Sequence, residues 1–84
     1  METMHEELID AENRIVGLKQ LLKELEGDCV ERVYIADDAD VHIKGKIRKA
    51  IGDRDIATVG VESMDMLGEI CEIDVGAACA AILK

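Results

Sequence analysis

Four residues able to contact an anion stand close together in the stretch GLKQLLK, from Gly17 to Lys23. Gly17 directly precedes leucines with helical spacing, so it lies where a helix would begin. A glycine there permits close approach of another backbone, and the free N–H groups of a helix N-terminus attract phosphate. Lys19 and Gln20 leave the first turn with donors that suit guanine O6 and N7, and Lys23 follows one turn later. Each good contact of this kind contributes about 1–3 kcal/mol of discrimination.

The alternative interpretation is that Lys19, Gln20 and Lys23 belong to an ordinary solvated helix face. Helical surfaces are commonly rich in lysine and glutamine, and from these residues alone the solvated face is favoured. The binding interpretation therefore needs support from the rest of the chain.

Composition limits what a chain of 84 residues can do. This length suits one domain, over residues 1–84, with one modest core, and no linker interrupts it. The 19 acidic and 10 basic residues give a net charge of −9, which disfavours nonspecific adhesion to nucleic acid or to anionic membranes. The acids concentrate in residues 1–13 and 50–84, whereas residues 14–49 are nearly neutral. A polyanion is therefore expected to approach only the middle of the chain.

Two further absences in the sequence narrow the function. Tyr34 is the only aromatic residue, which excludes a platform that stacks bases on several rings. The longest uncharged apolar stretch, residues 75–83, is about half of the ~20 residues that a membrane-spanning helix needs. The N-terminus carries acids where a signal peptide carries bases. We therefore predict a cytoplasmic protein that does not contact membranes.

The cysteines and histidines indicate neither a metal site nor catalysis. Cys29, Cys71 and Cys79 are odd in number and form no C-x-x-C pair, so reduced thiols are expected. His5 and His42 lie at no metal-ligand spacing from each other or from a cysteine. Cys71 and Cys79 could be read as a redox pair, but buried cysteine is common and no base lies nearby in sequence. We predict no metal, no cofactor and no enzymatic activity.

Helical and strand-like patterns alternate along the chain, which predicts an α/β sandwich with helices on both faces of a sheet. The predicted elements are an acid-rich helix over residues 3–12, a leucine-striped helix between Gly17 and Gly27, a strand over residues 33–36, a helix capped by Asp40 and stopped by Gly52, a strand over residues 56–61, and a helix capped by Ser63. The small-residue tail suits either a helix or a buried strand.

The interior positions follow from the same spacing. Met4, Leu8 and Ile9 form a thin packing face on the first helix, and the leucine stripe of the second helix is assigned to the core. Gly68 within the last helix is expected to cost about 1 kcal/mol relative to alanine.

Two charged segments are explained by structural roles without a ligand. The helix that follows Asp40 is basic outside, and we assign its bases to a solvated face rather than to a second basic patch; they are Lys44, Lys46, Arg48 and Lys49. The acidic turn at residues 37–40 lacks the ligand count of a calcium loop, so helix capping explains it.

Four stretches together resemble one known family. They are VGLKQLLKELE, VERVYIADDAD, VESMDMLGEIC and IDVGAACAAIL. Their order and spacing are similar to those of the ribosomal protein L7Ae family, especially its small bacterial members, and the resemblance covers residues 13–84. It implies a three-layer α/β/α sandwich around a mixed sheet of about four strands. It also implies binding of structured RNA of the kink-turn type, an internal loop bent sharply at tandem sheared G·A pairs, with ribosomal RNA as one candidate source.

The resemblance also implies which residues contact RNA. The family pattern Gly-x-Asn/Lys-Glu/Gln-x-x-Lys is matched by Gly17, Lys19, Gln20 and Lys23. A second family feature is an apolar loop before the last strand that packs on a flipped-out nucleotide. Here that loop corresponds to Ile73, Asp74 and Val75, leading to Gly76.

Four positions depart from the family pattern. Leu18 replaces a small hydroxyl residue, Glu72 replaces glycine, and Asp65 and Glu69 stand where bacterial relatives have lysine. The added acids are expected to weaken RNA binding and to reduce its salt dependence. The alternative function is therefore an acidic protein-interaction module that kept the fold and lost RNA affinity.

Overall fold

The computed structural model describes Leu8 and residues 12–84. Four strands and three helices alternate in this part of the chain: β1 (Arg14–Val16), α1 (Leu18–Glu26), β2 (Val30–Ala36), α2 (Val41–Ile51), β3 (Ala57–Val61), α3 (Met64–Ile70) and β4 (Cys79–Leu83). The strands form one sheet in the order β1-β4-β2-β3. Because β4 runs antiparallel to both of its neighbours while β2 and β3 are parallel, the sheet is mixed, as expected.

The helices cover both faces of the sheet. On one face, α1 and α2 pack through Leu21, Leu25 and Ile47. On the other face, α3 packs through Leu67, and Leu8 contributes a fully buried side chain to the same cluster. Residues 33–36 of β2 alternate between the two clusters, as the twofold repeat of a strand requires. The three-layer α/β/α sandwich predicted from the sequence is therefore confirmed.

The predicted N-terminal helix over residues 3–12 lies almost wholly outside the described residues. Leu8 is helical and buried, which agrees with its predicted place on a packing face. Met4 and Ile9, the other two predicted members of that face, are outside the described residues. Arg14 on β1 donates from Nη1 to the carbonyl oxygen of Leu8 at 3.3 Å, which ties this segment to the sheet.

The small-residue tail forms a central strand rather than a helix. Cys79, Ala80 and Ala81 are fully buried between the two helix layers. A strand covered on both faces has room only for small or apolar side chains, which explains the composition of the tail. The strand predicted at residues 33–36 is longer than expected, because it begins at Val30.

The short strand β1 was not defined by its sequence. Three residues are too few to show a strand period, and β1 exists because Val16 and Arg14 pair with the antiparallel β4. None of the helices formed by Leu8 and residues 12–84 has the length and apolar character required to cross a bilayer.

Candidate nucleic-acid interface

Three helices begin at the same end of the sheet. The strands β1, β2 and β3 all run toward this end, and each leads directly into α1, α2 or α3. We call it the entry end and the opposite one the far end. Because the N-terminus of a helix carries a partial positive charge, the entry end collects three such charges.

Side chains cap two of these three helix starts. Asp40 Oδ1 accepts a hydrogen bond from the backbone N–H of His42 at 2.7 Å at the start of α2. Asp38 Oδ1 accepts from Met64 N at 2.8 Å and Ser63 Oγ accepts from Met66 N at 3.1 Å at the start of α3. The caps predicted at Asp40 and Ser63 are thus confirmed. Two carboxylates of the acidic turn, those of Asp38 and Asp40, accept hydrogen bonds from helix amides.

The start of α1 has no side-chain cap. Its N-cap is Gly17, and its first turn contains no acidic residue. The first amides of a helix have no carbonyl partner within the helix, so those of residues 18–20 remain available as donors to a ligand. The helix begins after Gly17, as the sequence predicts, and anion binding at this start stays a prediction.

Gly17 is required by its backbone conformation. Its φ of 104° and ψ of 152° lie in a region that is essentially restricted to glycine. A Cβ added there would meet nothing within 4 Å, so the surface beside the glycine is open. The Gly17 N–H donates to the carbonyl oxygen of Cys79 at 3.0 Å, which fixes the start of α1 against β4.

The three polar residues of the predicted site are exposed around this helix start. Lys19 and Lys23 make no ion pair with any residue in the described part of the chain. Gln20 Nε2 donates to Glu24 Oε2 at 3.0 Å, an exposed contact one turn along the helix. Pairs of this kind contribute about 0.2–0.5 kcal/mol, so Gln20 can exchange Glu24 for a ligand at little cost.

The loop between α3 and β4, residues 71–78, presents two apolar side chains. Ile73 is 37% exposed and Val75 is 70% exposed. Exposure alone does not mark a site, because Val41 at the start of α2 is 73% exposed. The loop nevertheless holds two of the three exposed large apolar side chains among the described residues, and Asp74 between them is also exposed.

Glycine packing holds this loop against α3. A Cβ on Gly68 would lie 2.2 Å from the carbonyl oxygen of Val75, so only glycine allows the loop backbone to pass. Ala77 N donates to Met64 O at 3.0 Å and Ile73 N donates to Gly68 O at 3.0 Å. The sequence prediction treated Gly68 as a weak point of the helix, whereas the structure makes it the surface on which the loop rests.

The loop that holds the second part of the predicted site ends at the entry end. The loop runs directly into Cys79, whose carbonyl oxygen accepts the N–H of Gly17. Gly17, Lys19, Gln20 and Lys23 therefore lie on one side of the β1–β4 pair. Ile73, Asp74 and Val75 lie on the α3 side, where Ile73 N donates to Gly68 O. That one ligand contacts both parts stays a prediction.

Arg14 is a residue of this region that sequence reasoning missed. Its Nη2 donates to the carbonyl oxygen of Cys71 at 3.2 Å and to Glu72 Oε1 at 3.2 Å. Glu72 has a left-handed φ of 63°, a conformation that favours glycine. Arg14 thus compensates part of the Glu72 charge and anchors the loop, and no sequence spacing connects residues 58 positions apart.

The remaining departures from the family pattern also have places in the structure. Leu18 is half-buried and packs on the cluster beneath α1, so its side chain turns away from the open helix start. Asp65 and Glu69 are exposed on α3. Their carboxylates add negative potential on the α3 side of the site.

The thiols take no part in this site. Cys71 and Cys79 belong to the clusters on opposite faces of the sheet, so they do not form a pair. Burial raises the pKa of Cys79 to about 11, and burial also raises the pKa of Cys71 against a smaller lowering by Arg14. Among Leu8 and residues 12–84, no three His, Cys, Asp or Glu side chains are grouped to hold a metal ion.

The fold and this helix start define a small α/β/α sandwich domain with one uncapped, basic helix entrance. Residues 3–84 match the family described as ribosomal protein L7Ae/L30e/S12e/Gadd45, and the chain belongs to that family.

Relatives of similar length carry RNA-binding names. The RNA-binding protein YbxF of Geobacillus stearothermophilus is 38% identical over 81 residues, which cover 95% of this chain and 98% of YbxF. An RNA-binding protein of Caldanaerobacter subterraneus subsp. tengcongensis is 47% identical over 68 residues, 81% of this chain and 83% of that protein. The family and these names also indicate a protein that is not an enzyme, as the sequence predicts.

A solved structure supports the fold. The chain is similar to the Giardia lamblia 15.5kD RNA binding protein with a TM-score of 0.81 and 28% sequence identity. The match covers 94% of this chain and 67% of the Giardia chain.

Proposed function

We propose that this chain binds structured RNA in the cytoplasm and recognises a kink-turn or a similarly bent internal loop. The observation that carries the proposal is the uncapped start of α1, where Gly17 leaves the surface open and Lys19 and Lys23 are exposed and unpaired within the described chain. The RNA-binding names of the relatives support the class of ligand. The match of these residues to the family pattern supports its bent shape.

Recognition in this proposal combines three kinds of contact. The amides of residues 18–20 donate to a phosphate or to a base edge that approaches over Gly17. Lys19 and Gln20 donate to guanine O6 and N7, for which Gln20 releases Glu24. Ile73 and Val75 cover an unstacked base, and the apolar area that they bury contributes about 25 cal/mol per Å².

Local charge at the site offsets the acidity of the chain. Asp38 and Asp40 point at helix amides, and Glu72 is paired with Arg14. Asp65, in the first turn of α3, and Glu69 remain exposed acids, but α3 lies on the opposite face of the sheet from the donors at the start of α1. Because few phosphates are neutralised, the affinity should fall only shallowly with salt.

A titration with a standard kink-turn RNA at low salt tests this function. We expect a dissociation constant in the micromolar range or below, and weaker binding to a control RNA in which Watson–Crick pairs replace the tandem G·A pairs. Ribosomal RNA fragments that carry the motif are the first natural source to test, since the family description names ribosomal proteins.

Matched double variants test the site. Lys19→Ala with Lys23→Ala should weaken binding about 30-fold or more, because two contacts of about 1 kcal/mol or more are lost. Lys46→Ala with Lys49→Ala removes the same charge from α2 and should change binding less than about threefold. No binding by the wild type at micromolar protein would favour the protein-interaction alternative, and equal loss in both double variants would remove the proposed site.

A further inference from the structure

The helix α2 is the most basic element of an acidic chain. It contains four of the ten bases and no acidic residue, namely Lys44, Lys46, Arg48 and Lys49. Residues four apart in a helix share a face, so Lys44 and Arg48 lie together on one flank. Lys46 and Lys49, three apart, lie together on the other flank. The two flanks carry equal charge, so their surroundings decide whether either one binds a ligand.

A groove of about 140 Å³ lies beside the first flank. It lies between α2 and the edge strand β3, and its walls include both Lys44 and Arg48. Lys44 Nζ donates to the backbone carbonyl of Asp37, which holds the ammonium over the groove. Arg48 makes no ion pair within the described part of the chain. We call this feature the α2–β3 groove.

Hydrogen-bond acceptors complete the groove. A Cβ on Gly60 would lie 3.2 Å from Asp37 Oδ1, so this carboxylate rests over the glycine in the groove wall. Thr58 Oγ1 donates to Ile56 O at 3.4 Å, which leaves the lone pairs of the hydroxyl available to accept. The groove therefore offers two cations and two acceptors beside the apolar side chain of Ile35.

This set of groups fits a ribose-phosphate unit. Lys44 and Arg48 suit the anionic phosphodiester, and Asp37 and Thr58 suit a donor such as a ribose 2′-OH. An acidic peptide would also satisfy the cations, but a ribose-phosphate unit places a hydroxyl donor next to each anionic group. The chemistry of the groove thus favours RNA over a protein partner.

The position of the groove relates it to the helix start at Gly17. Asp37 follows the last residue of β2 and Lys44 lies near the start of α2, so one end of the groove lies near the entry end, and Arg48 and Thr58 extend it toward the far end. Three strand spacings separate β1 from β3, or about 14 Å. A stem flanking a bent loop at Gly17 can span this distance.

We infer that the α2–β3 groove binds a ribose-phosphate segment in a stem of the same RNA, an inference that rests on the proposed function. The experiment compares two kink-turn RNAs, one with both flanking stems extended to about ten base pairs and one with stems trimmed to the bent loop. Each is titrated with the wild type, with Arg48→Ala and with Lys49→Ala. Arg48 and Lys49 are adjacent and exposed in the last turn of α2, so the two variants remove the same charge from the same helix.

The wild type should bind the extended RNA about tenfold more tightly than the trimmed RNA, as one charge-assisted contact provides. Arg48→Ala should lose most of this gain and bind the trimmed RNA with the same affinity as the wild type. On the extended RNA, the slope of log affinity against log salt concentration should become shallower by about 1. Lys49→Ala should keep the gain.

Three results overturn the inference and are distinguishable. Equal wild-type affinity for the two RNAs, with binding intact, overturns the groove and leaves the proposed function standing. Equal losses of affinity for the extended RNA in Arg48→Ala and Lys49→Ala would show that the RNA contacts a diffuse basic face of α2 instead of the groove. Absence of binding to either RNA overturns the proposed function and this inference together.

Discussion

The two ends of the sheet differ in whether the backbone groups at their helix termini have partners within the protein. At the far end, the guanidinium of Arg54 donates to Leu25 O at 2.6 Å, to Ala50 O at 2.6 Å and to Ile51 O at 3.2 Å. One side chain therefore satisfies carbonyls at the ends of both α1 and α2. Asp28 pairs with Arg54 at 3.5 Å and with Lys84 at 3.7 Å, so this end is closed by ion pairs.

At the entry end, α2 and α3 are capped but α1 is left open. The same helix thus has its last carbonyls satisfied within the protein and its first amides free for a ligand. Stability is expected to depend on the far end, and binding on the entry end. A change at either end should therefore move one property without the other.

The largest stability effect is expected at the far end. Arg54→Ala removes three charge-assisted hydrogen bonds, although Leu25 O and Ile51 O keep backbone N–H donors, and this loss should lower the free energy of unfolding by about 2–4 kcal/mol. Urea unfolding measures this loss, and Lys84→Ala, which removes the exposed pair with Asp28, should cost less than about 1 kcal/mol. Folded Arg54→Ala should bind RNA with unchanged affinity. A weakened affinity would show that RNA binding also depends on the far end.

The two glycines that flank α1 should behave differently. Gly17→Ala forces an alanine to φ 104° and should cost about 1–3 kcal/mol of stability while weakening RNA binding. Gly27 has an ordinary φ of −84°, so Gly27→Ala should be neutral or stabilise the protein by up to about 1 kcal/mol. Thermal unfolding and one RNA titration for each variant check both statements. Equal costs at the two positions would show that the start of α1 is not special.

A smaller effect is expected at Glu72. Glu72→Gly relieves a left-handed φ of 63° by about 1 kcal/mol and loses an exposed ion pair with Arg14 of similar or smaller value, so stability should change little. RNA binding should tighten a few-fold because a negative charge near phosphate is removed. Glu72→Gln separates charge from backbone strain, and it should tighten binding similarly. Tightening in neither variant would place the RNA away from this loop.

The smallest effects concern the thiols. Cys29 is exposed, whereas Cys71 and Cys79 are buried, so an alkylating reagent should modify one thiol in the native protein and three in denaturant. Burial raises the pKa of Cys79 from 9.0 to about 11, and the neutral buried thiol is the favoured form. Its contribution to stability should be complete below pH 9 and decline as the pH rises toward 11. Cys79→Ala should flatten that decline, and native modification of all three thiols would contradict the burial.

Elements with a clear period or cap were predictable from the sequence. The leucines of α1 repeat with helical spacing, and Asp40 and Ser63 mark the starts of α2 and α3 as capping residues. The tail was ambiguous because alanine suits a helix, and only its burial between two helix layers makes it a strand. β1 has three residues, so pairing with β4 rather than its own sequence defines it.

Parts of the site depend on contacts between distant residues. The motif from Gly17 to Lys23 was readable because its members are neighbours on one helix. Arg14 and Glu72 are far apart in the chain, and the role of Gly68 depends on the path of the loop that crosses it. No local pattern contains this information, so these contacts appear only in the folded protein.

Backbone amide shifts measured by heteronuclear NMR during titration with kink-turn RNA test the central claim most directly. The account predicts the largest shifts at Leu18, Lys19 and Gln20, smaller ones at residues 73–75, and almost none around Arg54. Shifts concentrated at the far end, or unchanged amides at residues 18–20 in a saturated complex, would contradict it.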